Sequence, residues 1–112
     1  DFALLSGDDI NTLPILSVGG CGVISVLANV MPKEVSDLCN TFKSGDIQAA
    51  QRIHLETLQL SIDLFIDTNP IPVKTALQIM GRLNGRMRLP LVPMSEENTE
   101  ILHHTMHNIR VI

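Results

Sequence analysis

Residues 17–34, SVGGCGVISVLANVMPKE, decide the fold of this chain. Within them, residues 22–26, GVISV, are rich in β-branched side chains and apolar on both alternating faces. That pattern is typical of a parallel strand that is covered on both sides. Pro32 then suits the first position of a helix. The stretch therefore predicts a buried strand followed by a helix, as in an α/β protein.

An earlier apolar run predicts a second buried strand. Residues 2–5, FALL, are closed by the turn residues 6–9, SGDD, which lead into a short helix over about 13–18. Asp9 or Thr12 can cap that helix, and the double glycine ends it. Strand, helix and strand together form one βαβ unit.

Apolar residues recur with helical spacing along the rest of the chain. The predicted helices span about 32–44, 46–66 and 73–83, with a last one after Ser95. Gly45 ends the first of these helices and Asp46 caps the second. Ser95 caps the last helix, with Glu96 and Glu97 at the positive end of its dipole. Residues 86–93 are expected to be extended.

Two of these helices carry further predictions. The helix over 46–66 is apolar on two opposite sides, which predicts that it packs between two layers. Pro70 and Pro72 interrupt the chain after it, because each proline pushes its predecessor out of the helical region. The predicted buried stripe of the last helix consists of Ile101, Leu102, Thr105 and Ile109.

Composition excludes several classes of function. The 112 residues are 45% hydrophobic, enough for the core of one domain, and they carry a net charge of −4 with only eight Lys plus Arg. Neither nucleic acid nor an anionic membrane is therefore an expected partner. Two cysteines without a CxxC motif suggest no zinc site and no disulfide framework, which favours the cytoplasm. The apolar stretches are far shorter than the roughly 20 residues of a membrane span.

Three histidines of the last helix have the spacing of metal ligands. They are His103, His104 and His107. They project opposite the apolar stripe, so we expect a solvated face and no metal site.

The strands raise a question of completeness. Two parallel strands do not make a stable sheet, because such sheets need several strands with helices on both faces. The remaining strands are expected either from a missing N-terminal segment or from another chain. The chain also begins at Asp1, without an initiator Met and inside an apolar run, which favours a truncated start.

Four motifs in order carry a resemblance to a known family. They are SGDD at 6–9, GGCGVISVLANVMPKE at 19–34, NPIPVK at 69–74 and RLPL at 88–91. Together they resemble the C-terminal part of the dihydrodipicolinate synthase family of pyruvate-dependent class I aldolases, across nearly the whole chain. NPIPVK together with RLPL is the specific pair.

The resemblance implies an α/β fold, the C-terminal fragment of a TIM (β/α)8 barrel with strands seven and eight, followed by a C-terminal helical extension. Residues 1–45 would be the last two βα units, and residues 46–112 would be the extension. The family's enzymes are cytoplasmic lyases that act as homotetramers. They condense pyruvate, held as a Schiff base on a lysine, with aspartate semialdehyde in lysine biosynthesis, and no cofactor is expected.

The resemblance puts the catalytic lysine and the tyrosine and threonine proton relay upstream of Asp1. We therefore expect no catalytic residue in this chain, which contains no Tyr. Lys33, Lys43 and Lys74 do not follow a barrel strand, where a Schiff-base amine would need to lie. The fragment alone is predicted to be inactive and to form no adduct with pyruvate.

Three substrate-binding residues are carried over by position. Gly7 and Asp8 match the loop after strand seven that borders the substrate, and Ile24 matches a strand-eight residue whose backbone borders the pyruvate adduct. A helix-capping turn and a core isoleucine are the competing interpretations. The two carboxylates of SGDD would also repel a phosphate, which favours a substrate without one.

Two alternatives stay open at this point. One is another pyruvate-dependent aldolase, of the N-acetylneuraminate or keto-deoxysugar lyase type. The other is a non-catalytic helical interaction module whose two strands complete a sheet in a partner.

Overall fold

A computed structural model describes residues 2–112. Its strands and α-helices, in chain order, are β1 (Leu5–Ser6), α1 (Thr12–Ser17), β2 (Gly22–Val23), α2 (Pro32–Lys43), α3 (Ile47–Asp63), α4 (Ile71–Ile79) and α5 (Glu96–Asn108). Short 3-10 helices at Asp9–Asn11 and Leu27–Asn29 follow the two strands. The chain divides into two compact units, one ending at Leu58 and one beginning at Gln59, so the division falls inside α3.

The first unit begins with the predicted βαβ arrangement. β1 and β2 pair in parallel, with Leu5 opposite Gly22 and Ser6 opposite Val23, and α1 connects them. Because parallel strands need a crossover between them, the short helix α1 is what lets these two segments pair. The prediction of a strand, a helix and a parallel strand is confirmed.

The predicted burial of the two strands is wrong for the described residues. Regular pairing covers only two residues in each strand. Leu5 is 44% exposed and Ile24 is 69% exposed, although both were expected inside a sheet covered from two sides. The reason is that residues 2–112 supply a sheet of only two strands, which leaves the apolar side chains around it without neighbouring strands.

Local signals fix the helix α2 and the start of α3. Pro32 occupies the first turn of α2, as predicted. Gly45 then adopts a φ of 88°, a left-handed conformation that glycine reaches at little cost, and ends the helix. Asp46 caps α3, since its Oδ1 accepts a hydrogen bond of 3.0 Å from the backbone N–H of Ala49. The buried apolar side chains of the first unit include Leu16, Leu27, Val30, Leu38 and Ala50.

The longest helix of residues 2–112 is α3, with 17 residues, and it is buried along one side. Leu60 is fully buried, as is Leu64 just after the helix. Ile62 on the opposite side is exposed, as is Phe65 just after the helix. The predicted packing on two sides is therefore not seen in the described residues, because nothing in them covers the second side. None of the helices formed by residues 2–112 combines the length and the apolar composition needed to cross a membrane.

In the second unit, α4 starts earlier and ends earlier than predicted. It begins at Ile71, because Pro72 falls in the first turn, where the missing N–H costs no helical hydrogen bond. It ends at Ile79, since Gly81 has a φ of 71° and the chain leaves the helix there. The expected interruption at Pro72 and the expected end at residue 83 are both wrong.

The helix α5 begins as predicted and packs differently in one position. The hydroxyl of Ser95 accepts a hydrogen bond of 3.2 Å from the N–H of Asn98, which confirms the cap. Ile101 is exposed, and Met106 is buried in its place. Leu102, Thr105, Met106 and Ile109 have the regular i, i+3, i+4, i+7 spacing of one face, from which Ile101 lies off-centre.

An extended segment follows α4 and is held to it. The predicted extended run at 86–93 contains no helix or strand. The Nζ of Lys74 on α4 donates a hydrogen bond of 2.6 Å to the backbone carbonyl of Arg86. The start of the extended segment is therefore fixed to α4.

Candidate functional site

The loops after β1 and β2 lie side by side because the two strands run in parallel. Gly7 and Asp8 follow β1, and Ile24 and Ser25 follow β2. The N–H of Ile24 donates a hydrogen bond of 2.8 Å to the carbonyl of Ser6, which ties the two loops at their base. In α/β folds, functional groups gather at this edge of the sheet. All three predicted substrate-binding residues are therefore neighbours here.

Gly7 borders open space. Its position is exposed, and a Cβ added there would meet no atom within 4 Å. The fold of the first unit thus leaves the surface beside this residue free of its own side chains. That space is compatible with a ligand beside the backbone of Gly7.

Asp8 is a helix cap. Its backbone is extended, and its Oδ1 accepts a hydrogen bond of 3.3 Å from the N–H of Ile10 at the start of the first 3-10 helix. The side-chain amide of Asn11 donates to Oδ2 at 3.4 Å. The capping interpretation is thus seen in the structure. Both bonds are long, and a carboxylate has about four acceptor sites, so the half-exposed Asp8 retains capacity for a ligand.

Asp9 points inward, with 7% of its surface exposed. Its Oδ1 accepts a hydrogen bond from the Ser25 hydroxyl, and its Oδ2 accepts from the N–H groups of Val26 and Leu27, each at 2.9 Å. The predicted role of Asp9 or Thr12 as the cap of α1 is wrong. Asp9 instead satisfies the first N–H groups of the 3-10 helix after β2, and Thr12 is already the first residue of α1.

Ile24 has an exposed side chain and a backbone held from both directions. Its N–H bonds to Ser6, and the residues that follow it bond to Asp9. The core interpretation of Ile24 does not hold in the described residues, where its side chain lies at the surface. A role through its backbone stays a prediction.

The lysines of this chain differ from what a Schiff-base amine requires. The amine of Lys33 bonds to Asp37 one turn along α2, and this hydrogen bond and the carboxylate charge raise its pKa. A Schiff-base lysine needs the opposite, a neutral amine. Lys74 donates to a backbone carbonyl, and Lys43 lies exposed in the last turn of α2.

The three histidines of α5 are exposed on one side of the helix, as predicted. Together with Thr99 and Glu100 they line an open surface depression. Among residues 2–112, no group of three or more His, Cys, Asp or Glu side chains is arranged to hold a metal ion.

A parallel βαβ unit with polar loops at one edge of its strands, followed by a helical unit, is the arrangement of the final part of a (β/α)8-barrel enzyme. The sequence model of the Dihydrodipicolinate synthetase family matches residues 1–109. The chain belongs to this family, and the predicted resemblance is confirmed.

Relatives agree on the family and on the extent of the match. The 4-hydroxy-tetrahydrodipicolinate synthase of Nitratidesulfovibrio vulgaris (strain DP4) is 56% identical over 98 residues, which are 88% of this chain and 34% of that protein. That of Geobacter sulfurreducens is 52% identical over 109 residues, 97% of this chain and 38% of that protein. This chain spans about a third of the length of these relatives.

Solved structures show the same partial coverage. The dihydrodipicolinate synthase of Thermotoga maritima superposes with a TM-score of 0.97 at 42% identity, over 100% of this chain and 38% of that one. That of Aquifex aeolicus superposes with a TM-score of 0.95 at 45% identity, over 98% and 38%. The predicted fold class, the C-terminal fragment of a TIM barrel with a helical extension, is confirmed.

Proposed function

We propose that this chain is the C-terminal portion of a 4-hydroxy-tetrahydrodipicolinate synthase, a Schiff-base-forming lyase of lysine biosynthesis. The full-length enzyme condenses pyruvate with aspartate semialdehyde, and its catalytic lysine lies outside these 112 residues. The observation that carries the proposal is the 56% identity to a protein of that name over 88% of the chain. The proposed activity requires no cofactor and no metal ion.

In this function the chain supplies one wall of the substrate pocket. Gly7 and Asp8 border the substrate from the loop after β1, and the backbone of Ile24 borders the pyruvate adduct directly after β2. Their common edge, the open space beside Gly7 and the fixed backbone at Ile24 support these roles. The bond between lysine and pyruvate forms on the remainder of the enzyme.

The hydrogen bonds of Asp9 support the proposal that the substrates carry no phosphate group. Barrel enzymes often bind phosphate in the loops after strands seven and eight, through backbone N–H groups. Here the N–H groups of Val26 and Leu27 already donate to the buried carboxylate of Asp9. A phosphate at this place would have to compete with a negative charge inside the protein. Pyruvate and aspartate semialdehyde carry no phosphate.

The chain has two parts in this proposal. Residues 1–45 form the last two βα units, and 46–112 form the helical extension; within the first range, Asp1 lies outside the described residues. We further propose a cytoplasmic homotetramer. The exposed apolar side chains of Leu55 and Ile62 on α3, and of Phe65 just after it, support a surface that is covered in the complete assembly.

Two other functions are not favoured. A lyase of the N-acetylneuraminate or keto-deoxysugar type shares the proposed chemistry, but the relatives at 49% to 56% identity are named 4-hydroxy-tetrahydrodipicolinate synthase. A self-contained interaction module does not agree with a match to only about a third of longer enzymes.

Borohydride trapping tests the proposal. The full-length protein and the 112-residue chain are each incubated with pyruvate, reduced and analysed by peptide mass spectrometry. The full-length protein should gain one pyruvate-derived adduct on a lysine outside these residues, and the chain alone should gain none. Samples without pyruvate are the control. An adduct on Lys33, Lys43 or Lys74 contradicts the proposal, as does a full-length protein that turns over N-acetylmannosamine but not aspartate semialdehyde.

A further inference from the structure

The buried carboxylate of Asp9 connects the two loops that border the proposed substrate pocket. Asp9 lies two residues after Gly7, and its bonding partners begin at Ser25, directly after Ile24. One side chain thereby bonds to partners that lie 16 to 18 residues later in the chain. Burial of this carboxylate is tolerated because it accepts three hydrogen bonds, two of them from backbone groups.

The connection fixes the direction of the backbone at Ile24. On one side, the N–H of Ile24 is held by Ser6 at 2.8 Å. On the other side, Val26 and Leu27 are held by Asp9 at 2.9 Å. Ser25 adds a bond of its own, because its hydroxyl accepts from the N–H of Ala28 at 2.8 Å. The peptide group between these anchors has little freedom to rotate.

We propose that Asp9 is a positioning residue for pyruvate binding. It does not touch the substrate. It holds the backbone after β2 in the orientation in which Ile24 borders the pyruvate adduct, and this inference rests on the proposed function. Displacements of about 1 Å in a positioning group reduce rates by roughly a hundredfold in other enzymes, so the loss of this anchor has a measurable kinetic effect.

Substitutions in the full-length enzyme separate positioning from stability. Asp9→Ala removes every acceptor and leaves the Val26 and Leu27 N–H groups without their partner. Asp9→Asn keeps one oxygen that can accept from both backbone groups and loses only the charge and the acceptor for the Ser25 hydroxyl. Ser25→Ala removes the serine contact alone. We expect Asp9→Ala to have the largest effect on pyruvate binding, and Ser25→Ala and Asp9→Asn to have smaller effects.

Asp46→Ala is the matched control. It also removes a carboxylate that caps a helix through a backbone N–H, at 3.0 Å from Ala49, but it lies at the start of α3. It should lower the melting temperature and leave KM for pyruvate within twofold of wild type. Asp9→Ala should raise KM for pyruvate about tenfold or more, with kcat reduced as well, as expected for a displaced positioning group.

Hydrogen–deuterium exchange provides a readout that does not depend on the reaction. Peptides that contain Val26 and Leu27 should exchange faster in Asp9→Ala than in wild type, and Asp46→Ala should not change them. Faster exchange together with raised KM supports the proposal. A folded Asp9→Ala enzyme whose KM and kcat lie within twofold of wild type overturns it.

Two further outcomes are also decisive. If Asp9→Ala does not fold, Asp9→Asn and Ser25→Ala carry the test, and wild-type KM in both folded variants overturns the proposal. If the wild-type enzyme forms no pyruvate adduct, the proposed function has failed, and the positioning role for pyruvate fails with it. The exchange experiment still reports whether Asp9 holds the backbone, so the two failures are distinguishable.

Discussion

The hydroxyl of Thr105 on α5 donates a hydrogen bond of 2.6 Å to Oδ2 of Asp63, the last residue of α3 and 42 positions earlier in the chain. Asp63 is 5% exposed and Thr105 is 7% exposed. The other carboxylate oxygen accepts from the side-chain amide of Gln59 at 2.9 Å. A buried charge in the second unit is therefore held by two neutral donors on two helices.

We expect Thr105→Val to lower the free energy of unfolding of the full-length protein by about 1–3 kcal/mol, because the buried carboxylate loses a donor that water cannot replace. Urea denaturation followed by circular dichroism measures the change. Thr99→Val is the control. The Thr99 hydroxyl donates to the Ser95 carbonyl near the surface, so the same substitution there should cost less than about 1 kcal/mol. Equal losses in both variants would contradict the role assigned to Asp63.

Adjacent glycines after α1 should respond differently to alanine. A Cβ at Gly20 would lie 2.4 Å from Cγ2 of Ile15 and 2.7 Å from its backbone oxygen, so the backbone itself must shift. We expect Gly20→Ala to destabilise the protein by about 1–3 kcal/mol, the usual range for overpacking.

Gly19→Ala is the comparison for that prediction. Gly19 has a φ of 100° but open space around its Cβ position, so only conformational strain of about 1–2 kcal/mol opposes alanine there. We therefore expect Gly20→Ala to lower the melting temperature more than Gly19→Ala does, and thermal melts of both variants measure this order. A Gly20→Ala variant as stable as wild type would show that the close approach of Ile15 is not maintained.

The bond from Lys74 to the Arg86 carbonyl should protect the extended segment from proteolysis. In Lys74→Met this segment loses its attachment to α4, and we expect trypsin to cleave after Arg86 and Arg88 several-fold faster. The time course of the fragments, measured by mass spectrometry, gives the rates. Lys43→Met is the control, since Lys43 is exposed at the end of α2. Unchanged cleavage in Lys74→Met would show that the bond does not restrain the segment.

Acid should destabilise the protein partly through His54. Burial lowers the pKa of His54 from its ordinary value of 6.5, so the unfolded chain takes up a proton more readily than the folded one. The contribution of His54 to stability is complete above pH 6.5 and is lost as the pH falls through the lowered pKa.

His54→Gln should therefore flatten the decline in melting temperature below pH 6.5. A melting series from neutral to mildly acidic pH measures this slope for each variant. His103→Gln, on the exposed side of α5, should keep the wild-type slope. If both substitutions give the same slope as wild type, burial of His54 does not contribute to the acid sensitivity.

The helix boundaries that the sequence predicts well are those set by a single local residue. Pro32, Gly45 and Ser95 each act through their own backbone or side chain within one turn, and all three predictions are confirmed. The exposure of β1 and β2 depends instead on which strands lie beside them. Their apolar composition suits burial in the complete sheet of the family, whereas residues 2–112 form only two strands of that sheet.

In the candidate site, too, the sequence predicts some features and not others. The common edge of Gly7, Asp8 and Ile24 follows from the parallel arrangement, which the sequence predicts. The direction of Asp9 does not, because SGDD offers two adjacent carboxylates with similar local capping roles. Only the three-dimensional approach of Ser25, Val26 and Leu27 separates the inward Asp9 from the capping Asp8. Ser25, two residues after β2, is the weak signal that could have indicated the pairing.

The exposed strands also determine how these residues behave as a separate polypeptide. Apolar side chains at Phe2, Leu5 and Ile24 beside short, open strand edges favour pairing with any other extended chain. Expressed alone, the chain should self-associate with rising concentration. Under the proposed function, the remainder of the enzyme covers these edges. We therefore expect co-expression of the two fragments to restore one barrel, with the same edges as the recognition surface.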